Sequence, residues 1–472
     1  MAGTFILGET KVRPGSYFNI QKKEKNTQAD VINGVTAVLF KADFGPLGTC
    51  VELNIEGGDS YESLFGTSLT TDAIREAISG GAKTIIACRV GKGGTQAEVS
   101  LSDTDDAEAM KISALFPGDK TFTVSIREKL TDATVKECII YSGTAEFEKL
   151  EFAAGAGEVS ALVAAFANSK RFTAQATEGQ EQAVLQNVTQ SAFTAGTNPT
   201  STVDDYSDAF VQVEPYVFNT ICVDTEDTAV HLLLAEFLDR IFDAGSLAQA
   251  VVAEKHTVEL ETRQAHAAAF DDEKMNYVLN AHVMSQAGEL DGYQTAARIA
   301  GMIGACECNA SLTHTVVNGF TEILERLTNM QIVVAEKKGC LVLTHNSNKQ
   351  VWIDSAINTL ITPADNQDEG WKKIRRVKTR FELIRRMSVV TEALIGKVDN
   401  DGNGRSTVIS QVQAVGDAMV EESKLTSCKV TESAQYTADV DSAWFDIDVV
   451  DKDSMEHIYL TFKFQFSTLS AV

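Results

Sequence analysis

Residues 398 to 406 read VDNDGNGRS, and in them Asp399, Asp401 and Asn403 alternate ahead of Gly404 as the oxygen ligands of a calcium loop do. Such a loop takes oxygens at positions 1, 3 and 5, a glycine at 6 for the sharp turn and a bidentate glutamate at 12. Counted from Asp399, the twelfth residue is Ser410, whose hydroxyl offers one neutral oxygen where the site needs two charged ones. The stretch is therefore expected to be a polar turn. Other chemistry lacks a starting motif. The seven histidines, at 231, 256, 266, 282, 314, 345 and 457, form no HxxxH or HExxH pair, and there is no GxSxG elbow. Cys306 and Cys308 stand two apart on an expected helix, where their side chains diverge, and no second pair follows at zinc spacing. GKGG at 91 to 94 lacks the GxxxxGK[ST] spacing of a phosphate loop. The turn DTEDT puts Asp224, Glu226 and Asp227 where a pyrophosphate would need bare amides. No catalytic residue, metal ligand or cofactor is assigned from these patterns.

Composition narrows the classes further. The 472 residues are 44% hydrophobic and 23% charged, an ordinary globular balance. Sixty-six acidic residues against 41 basic ones give a net charge of −25, which opposes general binding to nucleic acid or to an anionic membrane. MAGTFILGET has no basic region leading into an apolar core, and the longest apolar run is the seven-residue ALVAAFA, so neither a secretion signal nor a membrane span is expected. Eight scattered cysteines, mostly inside apolar runs, suit reduced core thiols.

The elements that would position any site fall into five stretches. Residues 1–30 carry one strand, GSYFNIQ, on a charged tether; residues 31–92 read as strand, helix and buried strand. Residues 93–190 shift to short alternating strands, expected to form an inserted β-sandwich. In 191–345 strands alternate with helices, the organisation of an α/β domain with a largely parallel sheet; a helix from about Asp227 to Asp243, a helix FTEILERL and a hairpin QIVVAEKKGCLVLT turning at Lys338-Gly339 are expected there. Residues 346–472 contain a strand QVWIDSAINTL, a long basic helix, a second helix and closing strands, the last being HIYLTFKFQF. The fold class is thus α/β plus β, multidomain.

Two features stand out against this background. Lys372, Lys373, Arg375, Arg376, Lys378, Arg380, Arg385 and Arg386 concentrate eight cations in one helix of an acidic chain. They form either a solvated face or a docking surface for an acidic protein, the field of the remaining chain disfavouring nucleic acid. At each end, a strand without a nearby hairpin partner must close its own sheet or add to a neighbour's, and such a head-to-tail link produces rings or helical filaments.

KVRPGSYFNI at the start, FTAGTNPTSTVDDYSDAF before the first strand of the α/β region, and VWIDSAINTLIT, GWKKIRRVKTRFELI and IGKVDNDGNGR near the end together resemble the sheath proteins of contractile tails, from phages and phage-tail-like bacteriocins, in their Gram-positive form. Pro199 departs from the glycine often present there, and 95–190 carries no recognisable match. The resemblance implies a non-enzymatic subunit that polymerises as a helical homo-oligomer around an inner tube and contracts to drive the tube through a target envelope. It implies inner tube, baseplate and tail terminator proteins as partners, no direct membrane insertion, and production in the bacterial cytoplasm before assembly into a virion tail or released particle. It assigns Tyr17, Phe18, Asn19 and Ile20, and Ile458, Tyr459, Leu460, Thr461, Phe462, Lys463 and Phe464, to strand exchange between subunits, and the basic helix to contact with the tube or a neighbour. It also implies that IGKVDNDGNGR is a structural turn between two helices. A different self-assembling shell protein, or a soluble α/β enzyme, are the competing classes.

Overall fold

The strands that read as continuous apolar runs form one sheet. The structure, a computed structural model, describes residues 3–4, 17–18, 33–365 and 367–465. Seven strands, β1 (Val35–Phe40), β2 (Cys50–Asn54), β3 (Thr84–Arg89), β4 (Thr220–Val223), β5 (Gln249–Val252), β6 (Met275–Val278) and β7 (Cys340–Leu341), line up in the order β7-β6-β5-β4-β1-β3-β2. All pairings are parallel except β2 with β3. Because successive side chains point to opposite faces, a sheet covered on both sides buries every residue of its central strands, as β4, β5 and β6 do.

The helices supply the two covers. Val38, Phe40, Ile85, Cys222 and Val251 face α1 (Asp72–Gly80) and a later helix, α4 (Gly292–Ala305), through Ile74, Ala77, Ile299 and Ile303. Their sheet neighbours Ala37, Leu39, Ile86, Ile221 and Val252 face the other way, onto α2 (Val203–Val213) and α3 (Thr228–Asp243), through Phe210, Val213, Leu234 and Phe237. Helix α3 follows its apolar spacing, with Asp227 as N-cap accepting the amide of Ala229 at 2.9 Å and Gly245 past its end at φ +91°. Helices α1 and α4 touch backbone to backbone. A Cβ on Gly301 would lie 2.0 Å from the carbonyl oxygen of Ala77, so only glycine admits this approach. The buried pair Arg298–Glu76 joins the same two helices.

Between β3 and α2 the chain builds a four-stranded and a three-stranded antiparallel sheet with the helix Glu158–Phe166. Met110, Ile112, Val124, Ile126, Ile140, Leu162 and Phe172 form their shared core, and Phe44, from the α/β segment, packs its ring among Phe116, Phe122 and Phe147. The chain enters and leaves this region side by side, through the antiparallel bridges Lys92–Thr200 and Thr95–Thr197.

Three sequence expectations change. QIVVAEKK is not a hairpin arm but part of a helix, Asn329–Lys337, because Thr328 and Gln331 form a capping box; β7 then follows in the main sheet. FTEI of the expected helix FTEILERL is a strand, Phe320–Ile323, paired antiparallel with Val283–Ser285. Apolar spacing at Phe320, Ile323, Leu324 and Leu327 suited either, and Gly319 at φ +88° turns the chain straight into the strand. HIYLTFKFQF takes no strand conformation among its described residues, Ile458 to Phe464 included.

The C-terminal region contributes α5 (Ile374–Leu394), α6 (Gly402–Glu421) and the paired strands Leu425–Glu432 and Phe445–Asp451. The chain divides into two compact units, one of Met1–Val31, Leu383–Glu421 and Ser427–Val449, the other of Ile32–Glu382, Glu422–Thr426 and Val450–Val472. No helix among the described residues is long and apolar enough to cross a membrane.

Candidate functional site

Open α/β sheets bind ligands where the strand order reverses, outside the carboxyl ends of the strands. Here that point lies between β1 and β4, where connections from β1 run toward β3 and those from β4 run toward β5. The carboxylate of Asp224, which follows β4, fills it. Asp224 Oδ2 accepts the amide of Lys41 at 2.9 Å and the hydroxyl of Thr70, and pairs with Lys41 Nζ at 2.9 Å. Oδ1 accepts the Tyr206 hydroxyl at 2.5 Å. Burial and this neighbouring negative charge push the Tyr206 phenol far above its usual range. Asp72 at the start of α1 is raised by burial and is held by Tyr293 and Gln294. Glu226, also raised by burial, accepts the amide of Gly292 at 2.8 Å. The crevice is occupied by carboxylates and the donors that satisfy them, so it presents no bare amides to a phosphate. Lys92 of GKGG is paired with Asp208 and does not supply a free cation.

The polar turn at 398 to 406 serves a helix. Asp401 Oδ1 accepts the amide of Gly404 at 2.7 Å at the start of α6, and Asn400 Nδ2 donates to the carbonyls of Asp439, Val440 and Ser442 at 3.1 to 3.3 Å. Ser410 is inside α6 and exposed. Asp401 is therefore a helix cap, not a calcium ligand.

The basic helix is engaged with the acidic residues that begin the C-terminal segment. Arg376 grips Asp451 with two hydrogen bonds, Nε at 2.7 Å and Nη2 at 2.8 Å, and also reaches Asp368. Lys373 Nζ contacts Asp453 at 2.7 Å and Glu456 at 3.0 Å, while Glu456 accepts from Ser311, Thr313 and Ser454. The Arg380 guanidinium stacks 3.8 Å above the Trp371 ring, near Asp368 and Asp451. Lys378 Nζ donates to the carbonyls of Ile303 and Cys306, the unsatisfied carbonyl end of α4. Lys372 pairs with Glu369 at 2.7 Å. Arg375 is half-buried, and Arg385 and Arg386 are likewise engaged. Of the two alternatives open for these cations, neither a purely solvated face nor an unoccupied docking surface describes Lys373, Arg376 and Lys378.

Beyond this anchor the chain changes character. Ile458, Leu460, Phe462 and Phe464 occupy alternate positions and are 67%, 71%, 73% and 86% exposed, with Tyr459 at 90%. Thr461 and Lys463 between them are exposed too. At the other end Tyr17–Phe18 pair in parallel with Gly3–Thr4; Asn19 and Ile20 lie outside the described residues. Spacing alone did not reveal Asp451, Asp453 and Glu456 as the partners of the basic helix. Their run of acid in DVVDKDSME was the signal that could have done so.

One grouping was missed altogether: His256, after β5, His282, after β6, and Asp291, the cap of α4, bring donor atoms within 4.8 Å of one another.

Comparison with known proteins agrees with the C-terminal signatures. Residues 200–359 match the model of the phage tail sheath protein central domain and 366–465 that of the phage tail sheath C-terminal domain. The chain is 24% identical over 423 residues to the phage-like element PBSX protein XkdK of Bacillus subtilis, covering 85% of this chain and 84% of that one. Among solved structures, the sheath tail protein of Desulfitobacterium hafniense is similar with TM-score 0.69 at 20% identity, over 93% of this chain and 100% of the other. A sheath tail protein of Listeria innocua gives 0.68 at 20%, over 90% and 96%. The helical sheath of the anti-feeding prophage in its contracted state gives 0.52 at 12%, over 96% and 99%. The fold is a mixed α/β multidomain one like that of these sheath structures.

Proposed function

This chain belongs to the phage tail sheath proteins, a structural subunit by family, and from that premise we propose that it polymerises helically around an inner tube through exchange of its terminal segments. The observation that carries the reading is the C-terminal segment: rooted by ion pairs at Asp451, Asp453 and Glu456, then alternating and apolar from Ile458 to Phe464, with those side chains in solvent. Alternation of this kind suits a strand that adds to a sheet edge on a second copy, where main-chain hydrogen bonds give strength and the apolar positions set register. Two-stranded sheets are marginal alone, and the described residues include two such pairs near the ends of the chain: Gly3–Thr4 with Tyr17–Phe18, and Leu425–Glu432 with Phe445–Asp451. Strands supplied by neighbours would complete them, with Tyr17 to Ile20 as the N-terminal contribution.

In this reading the basic helix acts in neighbour contact by fixing the root of the exchanged segment, rather than by offering free charge to the tube. The region of two antiparallel sheets is a β-sandwich inserted in the α/β domain and lies further from the tube. Contraction would exchange one packing of linked subunits for another that buries more surface, with strand links keeping the lattice connected. Relatives solved as sheath and baseplate assemblies support an inner tube and a baseplate as partners, and a tail terminator would close the far end. The subunit would be produced in the bacterial cytoplasm, be assembled into a phage tail or tail-like particle, and carry out no catalysis.

Negative-stain electron microscopy of the full chain, alone and with its tube protein, tests this against chains lacking residues 1–20 or 455–472. Hollow striated tubes from the full chain and discrete particles from both truncations are expected. Tubes from both truncations would remove strand exchange as the link.

A further inference from the structure

We propose that His256, His282 and Asp291 form a binding site for one divalent transition-metal ion of the zinc type. The three residues come from separate connections at the carboxyl edge of the parallel sheet, the side on which α/β sheets carry their ligands. Two imidazoles and one carboxylate suit a borderline ion such as Zn²⁺ better than Ca²⁺ or Mg²⁺, which take oxygen ligands.

The imidazole rings of His256 and His282 lie face to face, centroids 3.8 Å apart and 8° from parallel. A neutral imidazole offers a metal one ring nitrogen with its lone pair. That lone pair lies in the ring plane. Ligand nitrogens about 2.0 Å from a tetrahedral ion sit about 3.3 Å apart with their planes converging, so metal entry must splay the stack. His256 is exposed and free to make that rotation, while Asp291, exposed too, is held in place as the cap of α4.

A second shell is present. Glu289 Oε1 lies 2.5 Å from His282 Nε2, the carboxylate–histidine contact that fixes one tautomer at metal sites. In the tautomer that directs its Nε2 proton at Glu289, His282 offers the Nδ1 lone pair to a metal. The Glu226 carboxylate, bonded to the amide of Gly292 next to Asp291, adds negative charge beside the site.

The test is isothermal titration of the purified full-length chain with ZnCl2, repeated with MgCl2, alongside the visible absorption of the Co²⁺ form. His256→Ala removes an exposed ligand, and Asp291→Asn retains a residue that still caps α4. One equivalent of Zn²⁺ is expected, with Co²⁺ bands of a nitrogen–oxygen site, both weakened at least about tenfold in each variant, and Glu289→Gln costing about 10- to 100-fold. Zn²⁺ bound equally by wild type and both variants, no stoichiometric uptake, or equal competition by Mg²⁺, which would mark a diffuse acidic surface, each overturns the proposal. Unchanged far-ultraviolet circular dichroism of the variants separates loss of the site from loss of the fold.

Discussion

At the scale of the residue, Gly404 and Arg376 show how little of a side chain's role its type reveals. Gly404 looked like the sixth position of a cation loop, but its backbone is needed because a Cβ there would stand 1.8 Å from the carbonyl oxygen of Asp399. Gly404→Ala should force the turn open and destabilise its unit by about 1–3 kcal/mol, read as a lower melting midpoint; Asp399→Ala, which leaves that carbonyl in place, should not rescue it. Arg376 looked like one of eight exchangeable cations, yet it binds Asp451 bidentately while both side chains are largely covered. Charge-assisted bonds of this kind contribute about 1.5–3 kcal/mol each to the states that contain them. Arg376→Ala should therefore free the root of the C-terminal segment, and tryptic cleavage after Lys452, normalised to a peptide substrate, should quicken about 10- to 100-fold. Arg375→Ala, at a position with no such pairing to Asp451, is the matched control, and equal cleavage of the two variants would refute the anchor.

At the scale of the element, the contact between Lys373, which leads into α5, and the segment starting at Asp451 has a definite pH window. Burial works to raise the Asp453 carboxyl and is the largest single influence, but the hydrogen bonds from Lys373 and the Ser454 amide and the charges of Lys373 and Arg376 together outweigh it and hold the group below its ordinary value of 3.8. Burial likewise works to lower Lys373, and Asp453 and Glu456 outweigh it, holding the ammonium above 10.5. A depressed acid stabilises above its unfolded value and loses this as pH falls through the folded one; a raised base stabilises below its unfolded value and loses this as pH rises through the folded one. Both contributions are present together between these limits, so the normalised cleavage after Lys452 should be flat from about pH 5.5 to pH 9. The same element shows what was legible. Helix α5 and helix α3 could be read because their apolar residues recur at helical spacing and are buried so, Ile374, Val377 and Phe381 among them. The helix at Asn329–Lys337 was misread because Ile332, Val333 and Val334 are β-branched, and a strand preference in three residues hid the capping box of Thr328 and Gln331 just before them. Ile458 to Phe464 was read as a strand from a real alternation, but alternation states only what the segment can pair with, and pairing needs a partner that one chain does not provide. His256, His282 and Asp291 were invisible for a different reason: their proximity comes from the order of strands β5 and β6 in the sheet, which no sequence interval records.

At the scale of the whole molecule, the decisive quantity is the net charge of −25 that every copy brings to an assembly. Like-charged subunits repel at any separation below a screening length, about 10 Å at 0.1 M salt and about 30 Å at 0.01 M. If subunits are joined mainly by main-chain hydrogen bonds and the apolar side chains of Ile458, Leu460, Phe462 and Phe464, added salt removes the repulsion and leaves the link untouched. Polymerisation should then strengthen as NaCl rises from about 0.02 M to about 0.3 M, seen as a falling critical concentration by light scattering. If the cations of α5 instead bind a neighbour or the tube directly, the same salt screens the attraction as well, and the critical concentration should rise. The internal pairing of Lys373, Arg376 and Lys378 favours the first outcome, because cations already satisfied within their own chain have little left to offer another. A critical concentration that rose with salt in wild type and became salt-independent in Arg375→Glu would return the basic helix to an intermolecular role and confine Arg376 to holding its own chain.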